Sequence, residues 1–331
     1  MRVALLPGDG IGPEVVGAAA RVLEAAARRF GFELELDELP VGLGAYTRFG
    51  SALPEETLEL VKRSDAALLG AVTTPPDIPG YRSPVLDLRQ ALDLYACVRP
   101  VRSLPGRPAV DLVVVRENTE GLYAGREREG EGFAVTERLI TRRASERILR
   151  FGFELARRCG FERVTVVHKA NVLRATCGLF RRIAHEVATG FPELSLEEML
   201  VDTCAMELAR RPERFQAIVT TNLFGDILSD VACIHAGGLG LARSANLGEH
   251  HAVFEPVHGS APDIAGRGVA NPLAAILAGA WLLEWRGESE AACAIESAVE
   301  RTLGEGRVTP DLGGACGTDE VATAVLQALA A

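Results

Sequence analysis

Lysine is nearly missing from this chain: of its 35 basic residues, only Lys62 and Lys169 are lysines. Arginine serves as well on a solvated face but does not readily give up its proton, so a retained lysine marks a position worth examining. Lys62 follows a helical-looking segment and reads as a surface charge, whereas Lys169 lies just past a strand end. A basic excess is missing too. The formal net charge is −10, and no Lys/Arg cluster is free of nearby acids, which argues against a nucleic-acid partner. The seven cysteines, Cys97, Cys159, Cys177, Cys204, Cys233, Cys293 and Cys316, include no Cys-x-x-Cys pair, so neither a disulfide framework nor a zinc knuckle is expected and a reducing compartment fits. No apolar run reaches the roughly 18 to 20 residues that cross a bilayer, and the apolar start of MRVALLPGDGIG is too short for a signal peptide. A cytoplasmic protein with no membrane partner is expected.

What is present is a chain of 331 residues, 48% of them hydrophobic, enough for a large core and most simply divided into two lobes. Val3–Leu6 reads as a buried strand, and Gly8-Asp9-Gly10-Ile11-Gly12-Pro13 as a turn into a helix through Arg29, with Pro13 suited to the first turn. A strand over Phe32–Leu36, a helix over Pro54–Val61 and a strand over Ala66–Gly70 continue the alternation. That rhythm predicts an α/β fold with a largely parallel sheet covered by helices. The runs 112–115 and 164–167 add strands that end at polar clusters, Arg116-Glu117-Asn118 and His168-Lys169-Ala170-Asn171, where open α/β sheets gather ligands. Gly121–Arg143, glycine-rich and charged, is expected to project as a hairpin or arm. Ser103–Pro108 is a plausible crossing between lobes.

Chemistry concentrates in a few places. After the apolar run 217–219, Gly225 is expected to turn the chain out of the strand, and Asp226 and Asp230, four apart, share a face of the following helix. Two such anions suit a hard divalent cation, Mg²⁺ or Mn²⁺; equally, acids favour a helix N-terminus for its dipole. Asp202 ends another apolar run and is a third candidate ligand. Lys169 can act as a base and Asn171 can orient a substrate oxygen or a nicotinamide, although strand-end lysines are commonly just solvated. Tyr123 can deliver a proton to a carbanion or simply pack at the base of the arm. Arg89, Arg99 and Arg116 sit among apolar residues and fit a substrate with two or three carboxylates; each can instead pair with a neighbour such as Asp87, Asp93 or Glu117. The Gly8–Gly12 turn is rejected as a phosphate cradle because its third glycine falls one residue early and Asp9 would repel a pyrophosphate. The loop Glu255–Gly266, ahead of Asn271-Pro272, offers backbone to a flat cofactor, and Asp263 there favours NAD over NADP.

These motifs together resemble the β-decarboxylating dehydrogenases, which include the isocitrate, 3-isopropylmalate, homoisocitrate and tartrate/D-malate enzymes. LLPGDGIGPEV, LDLYACVRP, VRENTEGLY, HKANVL, TTNLFGDILSD, EPVHGSAPDIAGRGVANP and TPDLGG occur in family order almost end to end. The resemblance implies a two-lobed isocitrate/isopropylmalate dehydrogenase-like fold that is not a dinucleotide-type Rossmann domain. Its large, discontinuous cofactor-side lobe would span 1–98 and 250–331, and its smaller dimerisation and metal lobe 99–249, with the arm at about 121–143. It implies Asp202, Asp226 and Asp230 as ligands of Mg²⁺ or Mn²⁺, with Asp202 and Lys169 crossing from a neighbouring protomer, so that a homodimer is the minimal unit and a homotetramer joined through the arm is open. Tyr123 and Lys169 match the acid/base pair, and Arg89, Arg99 and Arg116 the substrate clamp. Val72, Thr73, Thr74, Asn171, His258, Gly259, Ser260, Ala261, Pro262, Asp263, Ile264 and Asn271 match NAD-contacting positions.

The group on C3 of the substrate would meet Ser83, Val85 and Leu86. Val85 and Leu86 suit an apolar arm, Arg82 and Ser83 a carboxylate. VRENTEGLY, HKANVL and VDTCAM are similar to the homoisocitrate and NAD-isocitrate branches, so homoisocitrate oxidation in lysine biosynthesis is expected, with isocitrate or 3-isopropylmalate as alternatives. A non-catalytic regulatory subunit or a plain NAD-binding module would not need the full set Tyr123, Lys169, Asp202, Asp226 and Asp230.

Overall fold

The computed structural model describes residues 1–78, 80–103 and 109–331. Its strands are β1 Arg2–Gly8, β2 Glu35–Glu38, β3 Ala66–Ala71, β4 Ala96–Arg102, β5 Asp111–Glu117, β6 Glu127–Gly130, β7 Phe133–Thr136, β8 Arg163–His168, β9 Ser195–Leu200, β10 Ala217–Thr220, β11 Arg243–Leu247 and β12 Ala252–Pro256. Its helices are α1 Gly12–Phe30, α2 Leu43–Phe49, α3 Glu55–Arg63, α4 Pro84–Ala91, α5 Arg142–Arg158, α6 Thr176–Ala188, α7 Val201–Arg210, α8 Asn222–Cys233, α9 Leu273–Trp285, α10 Ser289–Gly304 and α11 Thr318–Ala330. Two compact units result. One comprises Met1–Asp93, Gly237–Ala245 and Glu249–Ala331, the other Leu94–Ala236 and Asn246–Gly248. The division falls at 93/94 where the sequence suggests 98/99, because the whole of β4 pairs with β5 of the second unit. The expected crossing at Ser103–Pro108 lies, for 104–108, outside the described residues.

In the first unit the sheet runs β2-β1-β3-β12, with β1 parallel to both β2 and β3, and β12 parallel to β3. α9 (LAAILAGAWLLEW) is apolar on every side through Leu283, where it is largely enclosed, before Glu284 and Trp285 reach the surface, and α1 packs on it. A Cβ on Gly279 would press on Leu23 at 3.2 Å, so glycine permits that close approach. β2 starts three residues later than Phe32–Leu36 suggests. Gly31 takes the left-handed conformation that ends α1, and Phe32 N–H turns back to the Ala27 carbonyl at 3.2 Å, using up the first of those residues in the helix exit.

In the second unit the order is β4-β5-β10-β8-β9. β4 runs antiparallel to β5 and the remaining pairs are parallel. β5, β8, β10, α7 and α8 share a core that includes Val114, Val167, Ile218, Leu208 and Leu228. Parallel pairing places strand ends of one polarity side by side: Thr220 lies in register with both Arg116 and Val167. The end of β5 therefore meets the start of α8, where Arg116 bonds Asn222, while Lys169, just past β8, faces Asp202 of α7. The arm is a β6–β7 hairpin.

Candidate active site

α8 begins two residues beyond β10 and projects Asn222, Asp226 and Asp230 at a four-residue spacing. Around them gather two arginines and a tyrosine. Arg116, at the end of β5, is buried and donates through Nε and Nη2 to Asn222 Oδ1 at 2.9 and 2.6 Å and through Nη1 to Asp226. Arg99, from β4, reaches Ser229 Oγ at 2.6 Å, Asp230 at 3.3 Å and Asp226 at 3.4 Å. Tyr123 Oη donates to Asp226 Oδ2 at 2.8 Å, and the Arg116 guanidinium lies over its ring, 5.2 Å from the centroid. Burial first, then the negative charge and hydrogen bond of Asp226, push the Tyr123 phenol up, so it is protonated at neutral pH.

One expectation is corrected here. Gly225 does not turn the chain out of the strand; it is a residue of α8, and a Cβ there would come within 2.6 Å of the Arg116 Cβ, so it makes room for that arginine against the helix. The acids that meet Arg99 and Arg116 include Asp226 and Asp230, more than a hundred residues away. Glu117 binds its own turn, accepting from Thr119 N–H at 2.9 Å and Glu120 N–H at 3.0 Å.

Lys169 and Asp202 form a second cluster, with Nζ 2.5 Å from Oδ1. Asp202 is in the first turn of α7. Among the described residues, no three His, Cys, Asp or Glu side chains are grouped to hold a metal ion. Asp226 and Asp230 nonetheless supply the hard oxygen donors that Mg²⁺ or Mn²⁺ takes; burial raises the Asp230 carboxyl, Arg99 opposing and Asp226 adding to that shift. Asn171 is exposed beyond β8.

The strand end beneath Lys169 is pinned. His168 is buried, and its Nε2 lies 3.0 Å from Glu198 Oε2, while His185 Nε2 approaches Oε1 at 2.5 Å and Arg181 completes the group. Burial opposes charge on Glu198, but the hydrogen bonds from Arg181, His168 and His185 outweigh it and hold the carboxyl at about 2. A depressed folded-state value means a contribution that is whole above the ordinary 4.5 and is lost as pH falls to about 2. Glu198→Gln is expected to cost about 1–3 kcal/mol at neutral pH. In urea unfolding the gap between variant and wild type should narrow at pH 3, and an equal gap at both pH values would contradict the assignment.

In the first unit, Ser83 is the N-cap of α4, with Val85 and Leu86 half-buried in its first turn. Arg89 is buried on the same helix, 3.6 Å from Glu255, and Arg82 pairs with Asp87 at 2.8 Å. Val72, Thr73 and Thr74 follow β3, and Thr73 Oγ1 donates to Ser260 Oγ at 2.7 Å, which joins two of the expected cofactor segments. The Gly8–Gly12 turn packs against the second of these: Ile11 N–H reaches the Ser260 carbonyl at 2.9 Å, and any side chain at Gly10 would overlap it. Asp9 is no phosphate ligand. Its carboxylate collects the N–H groups of Leu43 and Thr73, each at 2.9 Å, and of Gly44 at 3.2 Å.

In the loop after β12, Ala261 holds a left-handed φ of 38°, Gly259, Pro262 and Asp263 are exposed and Ile264 is half-buried. Burial pushes the His258 imidazole down, and its buried Nε2 has no protein partner among the described residues, a polar atom that a bound cofactor would satisfy. The Asn271 amide accepts from Leu273 N–H at 3.0 Å and donates to Asp311 at 3.0 Å. Sequence reasoning passed over Asn222, Ser229 and Glu198; the four-residue step from Asn222 to Asp226 was the available signal for the first.

Known proteins resemble this chain in sequence and in fold. The family model described as isocitrate/isopropylmalate dehydrogenase matches residues 2–325. The chain is 51% identical over 332 residues to the isocitrate/homoisocitrate dehydrogenase of Thermus thermophilus, covering 99% of this chain and 98% of that one. It is 48% identical over 334 residues to the 3-isopropylmalate dehydrogenase of Methanothermobacter thermautotrophicus, covering 99% and 98%. Among solved structures it matches isocitrate dehydrogenase from Methylococcus capsulatus with a TM-score of 0.95 at 46% identity, over 99% of each chain. No helix among the described residues is long and apolar enough to cross a membrane. On this sequence and fold, the chain belongs to the isocitrate/isopropylmalate dehydrogenase family, the β-decarboxylating dehydrogenases.

Proposed function

We propose that the chain oxidises homoisocitrate to 2-oxoadipate with NAD⁺ and a divalent cation, a step of lysine biosynthesis through 2-aminoadipate, in the cytoplasm and as a homodimer or a homotetramer. Family membership carries the coarser statement, oxidative decarboxylation of a hydroxy acid. The observation that supports the reading best is the enclosure of Asp226 by Arg99, Arg116 and the Tyr123 hydroxyl. Two buried guanidinium groups beside a protonated phenol suit a polycarboxylate that must lose CO₂ and gain a proton on carbon.

Arg99 and Arg116, with Arg89 from α4, would grip the substrate carboxylates and orient C2 and C3. Lys169 of the partner subunit would take the proton of the 2-hydroxyl as C2 is oxidised. The resulting 3-carboxy-2-oxo acid loses CO₂, leaving an enolate, and Tyr123 would give its proton to C3 and recover one from solvent. A cation on Asp226 and Asp230, completed by Asp202 of the partner subunit, would supply Lewis-acid polarisation of the C2 oxygen, and NAD⁺ would take the hydride. Val72, Thr73, Thr74, Asn171, His258–Ile264 and Asn271 are the proposed cofactor contacts, and the exposed Asp263 carboxylate would bind ribose hydroxyls and repel a 2′-phosphate.

For the substrate's distal group, the first turn of α4 offers Ser83, whose hydroxyl makes no capping bond, and helix N–H groups that favour a carboxylate. This supports homoisocitrate, in keeping with the relative from Thermus thermophilus. The half-buried Val85 and Leu86 favour the second reading, 3-isopropylmalate. Parallel kcat/KM measurements on homoisocitrate, isocitrate and 3-isopropylmalate with Mg²⁺ and NAD⁺ are expected to rank homoisocitrate first and to collapse with EDTA. A tenfold preference for another acid, about 1.4 kcal/mol, would overturn the choice.

A further inference from the structure

Among the described residues the Asn222 side chain hydrogen-bonds Arg116 and Glu120, neither of them in the proposed acid/base pair, and so links the substrate clamp to the turn that carries the acid. It is buried at the first position of α8. Its Oδ1 receives two N–H groups of Arg116, at 2.9 and 2.6 Å, and its Nδ2 donates to the Glu120 carbonyl at 3.2 Å. Only one amide orientation serves both partners, because a guanidinium has no acceptor and a carbonyl has no donor. From Glu120 the chain passes through Gly121, left-handed at φ 85°, to Tyr123. That turn is tied on its other side, where the Glu120 carboxylate accepts from Thr141 N–H and Oγ1, both at 2.9 Å, and Gly121 pairs with Leu139. One turn along α8, Asp226 takes the third contact of Arg116 and the Tyr123 hydroxyl.

We infer that Asn222 is a positioning residue that sets Arg116 for substrate binding through its oxygen and holds the Glu120–Tyr123 turn for proton delivery to C3 through its nitrogen. The inference rests on the proposed roles of Arg116 and Tyr123. The proton concerned moves from Tyr123 Oη to the enolate carbon, leaving a phenolate that solvent reprotonates; in the reverse direction the phenolate removes a C3 proton from the 2-oxo acid product. Exchange of those C3 hydrogens in D₂O, followed by NMR on 2-oxoadipate, therefore reads this step apart from hydride transfer.

The two halves of the amide can be separated. Asn222→Asp keeps an oxygen toward Arg116 and loses the donor to Glu120, whereas Asn222→Ala loses both. Asn222→Asp is expected to keep the calorimetric Kd for the hydroxy acid within about threefold and to slow C3 exchange about tenfold or more, while Asn222→Ala weakens Kd and slows exchange about tenfold each. A residue needed only for folding would lower Tm without this split. The assignment is overturned if the Asp variant exchanges at the wild-type rate, or if it loses binding and exchange in equal proportion; should the Ala variant not fold, the Asp variant alone decides. A wild-type protein that neither exchanges C3 hydrogens nor oxidises any of the three hydroxy acids would remove the functional reading itself, whereas an active wild type with an unaffected Asp variant removes only the role given to Asn222.

Discussion

Tyr123→Phe is expected to separate the two halves of the reaction, slowing decarboxylation and C3 exchange by about 10²–10⁴ while hydride transfer falls by less than about tenfold. The substitution removes one oxygen and little else. The ring stays beneath the Arg116 guanidinium, 5.2 Å from its centroid, and Arg116 keeps its bonds to Asn222 and Asp226. Asp226 loses the 2.8 Å bond from the phenol but is partly exposed and accepts water in its place, so a stability cost near 1 kcal/mol is expected. What the enzyme would lack is a proton at the carbon that loses CO₂. Because burial and Asp226 keep the phenol protonated, the wild type has that proton ready at neutral pH. The check is to supply the 3-carboxy-2-oxo intermediate directly and to measure its reduction by NADH and its decarboxylation side by side. Equal loss of both would place Tyr123 in substrate binding and deny it the role of acid.

The sequence made some of this legible for definite reasons. Asp226 and Asp230 share a face because a helix returns every 3.6 residues, and Arg99 and Arg116 drew attention because a guanidinium between apolar residues needs an anion. Which anion it finds is a matter of topology: Arg116 and Asp226 are 110 positions apart and meet only because β5 and β10 are parallel neighbours. Gly225 was misread for the same reason, since nothing local reveals that Arg116 will lie against that point of α8. Asp9 was legible as an obstacle to phosphate but not as the group that ties α2 to the segment after β3, because its three amide donors come from the start of α2 and from Thr73, 34 to 64 positions away. The strand and helix rhythm of the first seventy residues followed from local pattern, whereas the discontinuous lobe came only through resemblance. Pairing of Lys169 with Asp202 had no local signature either; the residues are 33 positions apart on different elements.

That pairing leads to the second large effect, restoration of activity from two inactive chains. Tyr123 surrounds Asp226 with Arg99 and Arg116, Lys169 is held by Asp202, and one chain alone groups no three metal-binding side chains among the described residues. If each site takes Tyr123, Asp226 and Asp230 from one protomer and Lys169 and Asp202 from the other, Tyr123→Phe and Lys169→Met damage opposite halves. Neither variant should unfold: Asp202 has a side chain 63% exposed, so it is solvated when Lys169 is lost. Each homodimer is expected to decarboxylate at less than about 1% of the wild-type rate. Random pairing of the two chains makes about half the dimers mixed, each with one intact site and one doubly damaged site, so the mixture should regain about a quarter of wild-type turnover. Two different affinity tags, purified in sequence, isolate the mixed dimer and raise the expected value to about half. A mixed dimer that is recovered in good yield and yet turns over no faster than its parents would mean that Lys169 and Tyr123 serve the same chain, and the shared site would have to be abandoned.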